Sequence, residues 1–186
     1  MEEAIQKLRG ITGKKNIILT TCGNNAIWKS LKYAKKQNKD TVLIQDQGGW
    51  ITYKTFPKRL KLNILELKTE YGIINPESTK IPENSIILIN SMPGYHALQP
   101  MEKLQALAKQ SNSILINDIA GSISTDNSKI GDILVGSFGE WKPINLEYGG
   151  FIATDLDLDI RSNFDQDRLE QLSKKIGCGC SGIHFP

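Results

Sequence analysis

Lys142 is the residue around which a chemical reading of this chain can be built. It stands in S-F-G-E-W-K-P-I-N-L-E-Y-G-G (137–150), a run with no other cation. Ser137 precedes it by five residues, and the pair Gly149-Gly150 begins seven residues after it. A lysine amine becomes a nucleophile toward a carbonyl when burial or a neighbouring cation lowers its pKa. The apolar character of the stretch suits such desolvation. The competing reading is a surface lysine, the default for any one of the many on this chain.

Other residues of the right type fall at similar places. Cys22-Gly23-Asn24 joins the apolar run N-I-I-L-T-T (16–21) to a helical pattern over 24–37. Backbone N–H groups at a helix start favour an anion, phosphate above all, and Gly23 lets the backbone come close. Many ordinary strand–helix turns also carry a glycine and an Asn cap. Asp118 ends the run S-I-L-I-N-D (113–118) and is followed by I-A-G-S. An acid there can hold a proton on a heteroaromatic nitrogen, keeping the ring electron-poor, and the small Ala120 leaves room for a flat ring. A helix cap or a surface acid is the alternative. Trp50, after Gly48-Gly49, can stack on such a ring or lie in the core. Cys178, Cys180 and His184 form C-x-C-x3-H in a glycine-rich tail. The spacing is no standard zinc pattern and a fourth ligand is missing, so spare thiols are expected there and no metal site. A reactive cysteine is the lesser alternative.

The elements that must position these residues alternate. Short apolar runs at 16–21, 41–44, 62–67, 85–90, 113–118, 133–138 and 150–154 read as strands. Helical patterns are expected at 2–9, 24–37, around 51–60, at 100–110 with Pro100 near its start, and at 165–176, while 68–84 reads as mostly loop. Several strands are apolar on both faces. The fold class is therefore α/β, a three-layer αβα domain with a mostly parallel central sheet. Ligands in such sheets bind outside the carboxyl ends of the strands, where Cys22-Gly23-Asn24, Gly48-Gly49-Trp50, Ser91, Asp118 and Ser137 all fall. A large domain over 1–155 and a short extension over 156–186, acidic and then rich in Gly and Cys, are expected.

Composition excludes little beyond extremes. Apolar residues make up 39% and charged residues 23%, as in an ordinary globular protein. No apolar run is long enough to cross a membrane, the N-terminus does not read as a secretory signal, and three cysteines make no disulfide framework. A cytoplasmic protein is expected. Net charge is +3, but residues 1–61 carry 13 Lys/Arg against 4 Asp/Glu. The excess lies largely at 29–39, where Lys29, Lys32 and Lys36 share a helix side. A solvated surface is the favoured reading, and nucleic acid or a phosphorylated ligand the alternative.

In collinear order from about 10 to 155 these residues resemble the pyridoxal-phosphate enzymes of the aspartate-aminotransferase superfamily, fold type I. The nearest resemblance is to the DegT/DnrJ/EryC1/StrS sugar aminotransferases. There a Ser-Gly-Thr turn binds the cofactor phosphate, and Cys22-Gly23-Asn24 corresponds to it, with Cys22 in place of the serine. The ring-stacking aromatic corresponds to Trp50, and the D-x-A acid to Asp118-Ile119-Ala120. Ser137-Phe138, Lys142 and Gly149-Gly150 match the spacing around the Schiff-base lysine. P-G-Y…Q-P-M (93–101) fits the family's turn before a helix, with Ser91 where a cofactor-facing His or Asn is expected. The resemblance implies pyridoxal 5′-phosphate as cofactor, amino-group transfer from a small amine or amino acid, and a homodimer. The family continues through a C-terminal domain, which is expected to be missing or minimal here. Two alternatives stand beside this. One is desulfurase-like thiol chemistry using Cys178 or Cys180. The other is a non-catalytic binding module that keeps the fold and engages RNA or an acidic partner.

Overall fold

The computed structural model describes residues 2–92 and 98–165, with residues 167, 170, 171 and 174 beyond them. The expected helix over 165–176 and the thiols Cys178 and Cys180, with His184, therefore lie wholly or largely outside the described residues, as do all of residues 93–97.

The apolar runs form a seven-stranded sheet. Its strands are β1 (Asn16–Thr20), β2 (Thr41–Gln45), β3 (Asn63–Leu67), β6 (Ile86–Asn90), β7 (Ile114–Asp118), β8 (Ile133–Ser137) and β9 (Gly150–Thr154). Between them, β4 (Thr69–Glu70) and β5 (Ile73–Ile74) make a separate small hairpin. The sheet order is β1-β9-β8-β7-β6-β2-β3. Four neighbouring pairs are parallel; β9 runs antiparallel to both β1 and β8. The sheet is thus mostly parallel, as expected from several strands that are apolar on both faces.

The alternation within each strand feeds two faces. Val42, Ile44, Ile86, Leu88, Ile133, Val135 and Ile152 share one core cluster with Ala26, Ile27, Leu31 and Ala34 of α2 (Gly23–Lys36) and Tyr53 of α3 (Thr52–Arg59). On the other face, Leu43, Ile87, Ile89 and Leu115 pack with α4 (Met101–Gln110). Leu134, Phe151 and Ala153 pack with Ala4 and Leu8 of α1 (Glu2–Thr12). Each large aliphatic side chain so buried contributes about 2 kcal/mol of hydrophobic stabilisation. The result is a three-layer domain.

Two segments differ from the sequence reading. Helix α1 runs past Gly10 to Thr12 and stops at Gly13, whose φ of +67° and N–H bond to Arg9 O at 2.8 Å form a left-handed cap. Leu8 and Thr12, one turn apart and both buried, carry the helix through Gly10. Within the expected loop at 68–84, Tyr71-Gly72 has positive φ at both residues, which closes the β4–β5 hairpin.

The topology puts the strand ends together. The carboxyl ends of β1, β6, β7 and β8 share one edge with the start of β9: Thr20 and Ser137 both pair with Gly150, and Asn90 pairs with Asp118. Helix α2 must cross from β1 at one margin to β2 near the other. It packs over β8 and β9, so its N-terminus lies beside Ser137.

Candidate functional site

A cleft of about 120 Å³ opens at this edge. It is lined by Cys22, Gly23, Asn24, Trp50, Asp118, Ala120, Ser137 and Lys142, together with Ile27, Val135 and Gly136. Residues from five separated segments of the chain therefore meet in one depression.

The turn at 22–24 is built by close approach. Cys22 is the N-cap of α2 in extended conformation, and no side chain caps the helix start. A Cβ on Gly23 would lie 2.8 Å from Ser137 Cβ, so only glycine lets α2 begin this near β8. A Cβ on Gly150 would meet the backbone of Cys22 and Gly23 at 2.6 Å and Gly136 O at 2.7 Å. The free N–H groups of the first helical turn, with the positive end of the helix dipole, are what an anion needs. Ser137 Oγ accepts the Gly139 N–H at 3.2 Å, which leaves its own proton to give.

Asp118 forms the floor. It is 8% exposed. Its Oδ1 accepts the N–H of Ala120 at 3.0 Å, and its Oδ2 accepts the hydroxyl of Tyr53 at 2.8 Å. Burial raises its pKa; the Ala120 N–H, the Tyr53 hydroxyl and the positive charge of Lys142 oppose that rise. Asp118 does turn its own backbone, as a capping acid would, but it is not a surface residue. Burial beside this carboxyl pushes the Tyr53 hydroxyl well above its ordinary value, so the tyrosine stays a donor.

Trp50 is 53% exposed, which removes the core reading. Its indole N–H donates to Asn24 Oδ1 at 3.0 Å, locking the aromatic wall to the start of α2. The Lys142 ammonium sits 5.6 Å from the centre of the Trp50 ring, in cation–π range. Lys142 is half-buried on a loop whose flanks are pinned by Phe138, Ile144 and Leu146 in the core. Those apolar side chains serve the core and do not enclose the lysine. Trp141 beside it is 88% exposed with a φ of +66°.

Ser91 is not brought into the cleft. It is fully buried at the end of β6, and its hydroxyl is 2.5 Å from that of Ser122 and 3.5 Å from Asp118 O. Sequence reasoning missed Tyr53. Its spacing of three from Trp50 puts both on one turn of a helix start, the only signal available.

The basic side of α2 is not simply solvated. Lys29, Lys32, Tyr33 and Lys36 line a groove of about 490 Å³ with Asp157, Asp159 and Arg161. The Lys29 ammonium donates to Arg161 O at 2.9 Å and to Asn163 Oδ1 at 3.0 Å. Acids and bases alternate in this groove, so it presents no uniform positive stripe. No cluster that could hold a metal occurs among the described residues, and none of their helices is long and apolar enough to cross a membrane.

Comparison with solved structures places the fold. The chain has the fold of the large domain of fold type I pyridoxal-phosphate enzymes. It is similar to SspA in complex with cysteine over 99% of its length, with 17% identity and a TM-score of 0.73. NtdA from Bacillus subtilis with bound cofactor PMP matches 94% of the chain at 21% identity and a TM-score of 0.69. The apo cysteine desulfurase of Thermococcus onnurineus matches 96% at 14% identity and a TM-score of 0.70. The chain spans 60%, 39% and 54% of these three structures, in that order. No protein-family model and no curated protein sequence matches it.

Proposed function

We propose that this chain is the cofactor-binding domain of a pyridoxal 5′-phosphate enzyme that moves an amino group to or from a small amine or amino acid. The observation that carries the reading is the convergence of Cys22, Gly23, Asn24, Trp50, Asp118, Ala120, Ser137 and Lys142 on one cleft, from five segments. The residues fit the group. An uncapped helix N-terminus and a serine hydroxyl suit a phosphate, and a buried carboxylate suits a protonated ring nitrogen.

In this reading the N–H groups of Gly23 and Asn24 and the Ser137 hydroxyl hold the phosphate. Asp118 keeps a proton on the ring nitrogen, Trp50 covers one face against water, and Lys142 Nζ is the covalent anchor. Bound pyridoxal phosphate supplies an electron-poor ring that takes up charge developing at a substrate α-carbon. The Lys142 amine would also be the base available in the cleft to take and return a proton at the substrate α-carbon. The homodimer and the cytoplasmic location belong to the same proposal.

The test is labelling. With equimolar pyridoxal phosphate and borohydride, the mass increment falls on the peptide carrying Lys142 and vanishes in Lys142→Ala. Labelling spread evenly over surface lysines in both proteins rejects the proposal and leaves a binding module with this fold. Sulfide release from cysteine is the second reading, favoured by the likeness to a cysteine desulfurase and to SspA in complex with cysteine. The free, exposed Cys22 lines the same cleft, whereas Cys178 and Cys180 lie outside the described residues.

A further inference from the structure

The acid on the cleft floor is gripped from outside the cleft. The Tyr53 hydroxyl reaches Asp118 Oδ2 at 2.8 Å while the Ala120 N–H reaches Oδ1 at 3.0 Å. With both oxygens engaged, the carboxyl plane cannot rotate. A tyrosine hydroxyl has one hydrogen, and an ionised carboxylate can only accept, so the proton of this bond belongs to Tyr53. The ring of Tyr53 is fixed as well: it is 1% exposed and packed in the core beneath α3. Its backbone N–H donates to Trp50 O at 2.9 Å, so the turn that leads into α3 ties the partner of the acid to the aromatic wall.

We propose that Tyr53 is a positioning residue whose hydroxyl favours the ionised form of Asp118 against its burial, holds it aimed into the cleft, and couples that acid to the helix start that places Trp50. The consequence for a pyridinium nitrogen rests on the cofactor reading above; the hydrogen bond and its electrostatic effect do not. The titratable groups facing Asp118 are Tyr53 from α3, Lys142 from the loop after β8, and Cys22 across the cleft. The adjoining strands present Asn90, Ser91 and Ser137, which do not titrate. Tyr53 is thus the only neutral side-chain donor on the carboxylate, and Lys142 the only cation facing it among the described residues.

The experiment is a titration of the Asp118 carboxyl by ¹³C NMR in protein free of cofactor. Tyr53→Phe keeps the ring and removes the donor. The Asp118 pKa rises by about one unit in the variant, the size expected for loss of a hydrogen bond to a charged form. An unchanged pKa overturns the inference. Should the variant not fold, wild-type protein labelled at tyrosine Cζ gives the same decision. The Tyr53 resonance moves in step with the Asp118 titration if the bond is as inferred, and a Tyr53 signal indifferent to that titration refutes it. Both readings are taken without cofactor, so failure of the pyridoxal phosphate proposal is seen separately, in the labelling of Lys142.

Discussion

Gly150→Ala tests the architecture of the anion turn more sharply than any change to a polar side chain. The new Cβ would lie 2.6 Å from Cys22 C, 2.6 Å from Gly23 N and 2.7 Å from Gly136 O. All three are backbone atoms, and they belong to two elements on different sides of β9. No rotamer change relieves the overlap; the 22–23 turn must retreat from β9 by most of an ångström. Overpacking of this kind costs about 1–3 kcal/mol, and obstruction by backbone alone puts the expectation at the upper end, about 3 kcal/mol. Gly10→Ala is the internal control. Gly10 lies inside α1 with nothing within 4 Å of the new methyl, so the exchange stabilises by roughly 0.5–1 kcal/mol. Urea unfolding should separate the two variants on opposite sides of the wild-type midpoint with an unchanged slope. The turn is also the proposed phosphate cradle, so Gly150→Ala should weaken binding of a phosphate ester about tenfold in protein that is still folded, which corresponds to about 1.4 kcal/mol. A wild-type midpoint for Gly150→Ala would refute the packing argument. Lost stability with full phosphate-ester affinity would refute the assignment of the turn.

Two acids predict opposite pH behaviour. Asp118 has its pKa raised by burial, so the folded state binds its proton more tightly than the unfolded chain does. That contribution to stability is complete below the unfolded pKa of about 3.8 and is lost as pH rises through the folded value. Asp118→Asn, in which the Tyr53 hydroxyl can turn to accept, is therefore more resistant to urea than wild type near neutral pH, and the difference shrinks on acidification; a constant difference across that range contradicts the assignment. Asp46 is the reverse case. The Thr69 hydroxyl donates to it at 2.6 Å and the Thr69 N–H at 3.1 Å, and its pKa is lowered, first by the hydroxyl bond. Its contribution is present above the unfolded value and is lost as pH falls through the folded one, so Thr69→Val costs about 1 kcal/mol near neutrality and progressively less in acid, read from the same urea midpoints.

The layered sheet was legible because its strands need no partner to announce themselves. Ile86–Asn90 and Ile114–Asp118 are buried on both faces, and a short run with apolar residues on both faces can be little else in a chain of alternating elements. Helix α1 runs beyond the 2–9 that the sequence suggests, and the hairpin at 69–74 lies in a stretch that reads as mostly loop, for a different reason. Gly10 looked like a stop, but the burial of Leu8 and Thr12 outweighs one glycine, and the true cap is Gly13. Two-residue strands carry no periodicity at all, and only the positive φ of Tyr71 and Gly72 reveals their turn.

For the cleft, the dividing line runs between residues whose place is set by the backbone and residues whose place is set by pairing. A glycine at a helix start, an acid at a strand end and a lysine on the loop after the next strand are fixed by local order along the chain, and all of them line the cleft. Ser91 also ends a strand, yet its hydroxyl is taken by Ser122, thirty-one residues away, and it never faces the depression. Tyr53 reads from sequence as one more core aromatic, and its role depends on Asp118, sixty-five residues on. These contacts follow from the order β1-β9-β8-β7-β6-β2-β3, in which β2 sits beside β6 and β1 beside β9. Two of the six neighbouring pairs in that sheet, β1–β9 and β6–β2, are distant in the chain, and the Tyr53–Asp118 contact bridges the second of them. A side chain that acts through a partner across it is invisible until the order is known, however plain the partner's own position may be. The Tyr53–Asp118 bond is the clearest instance, because it joins the helix after β2 to the end of β7 across β6, a strand that contributes no residue to the cleft.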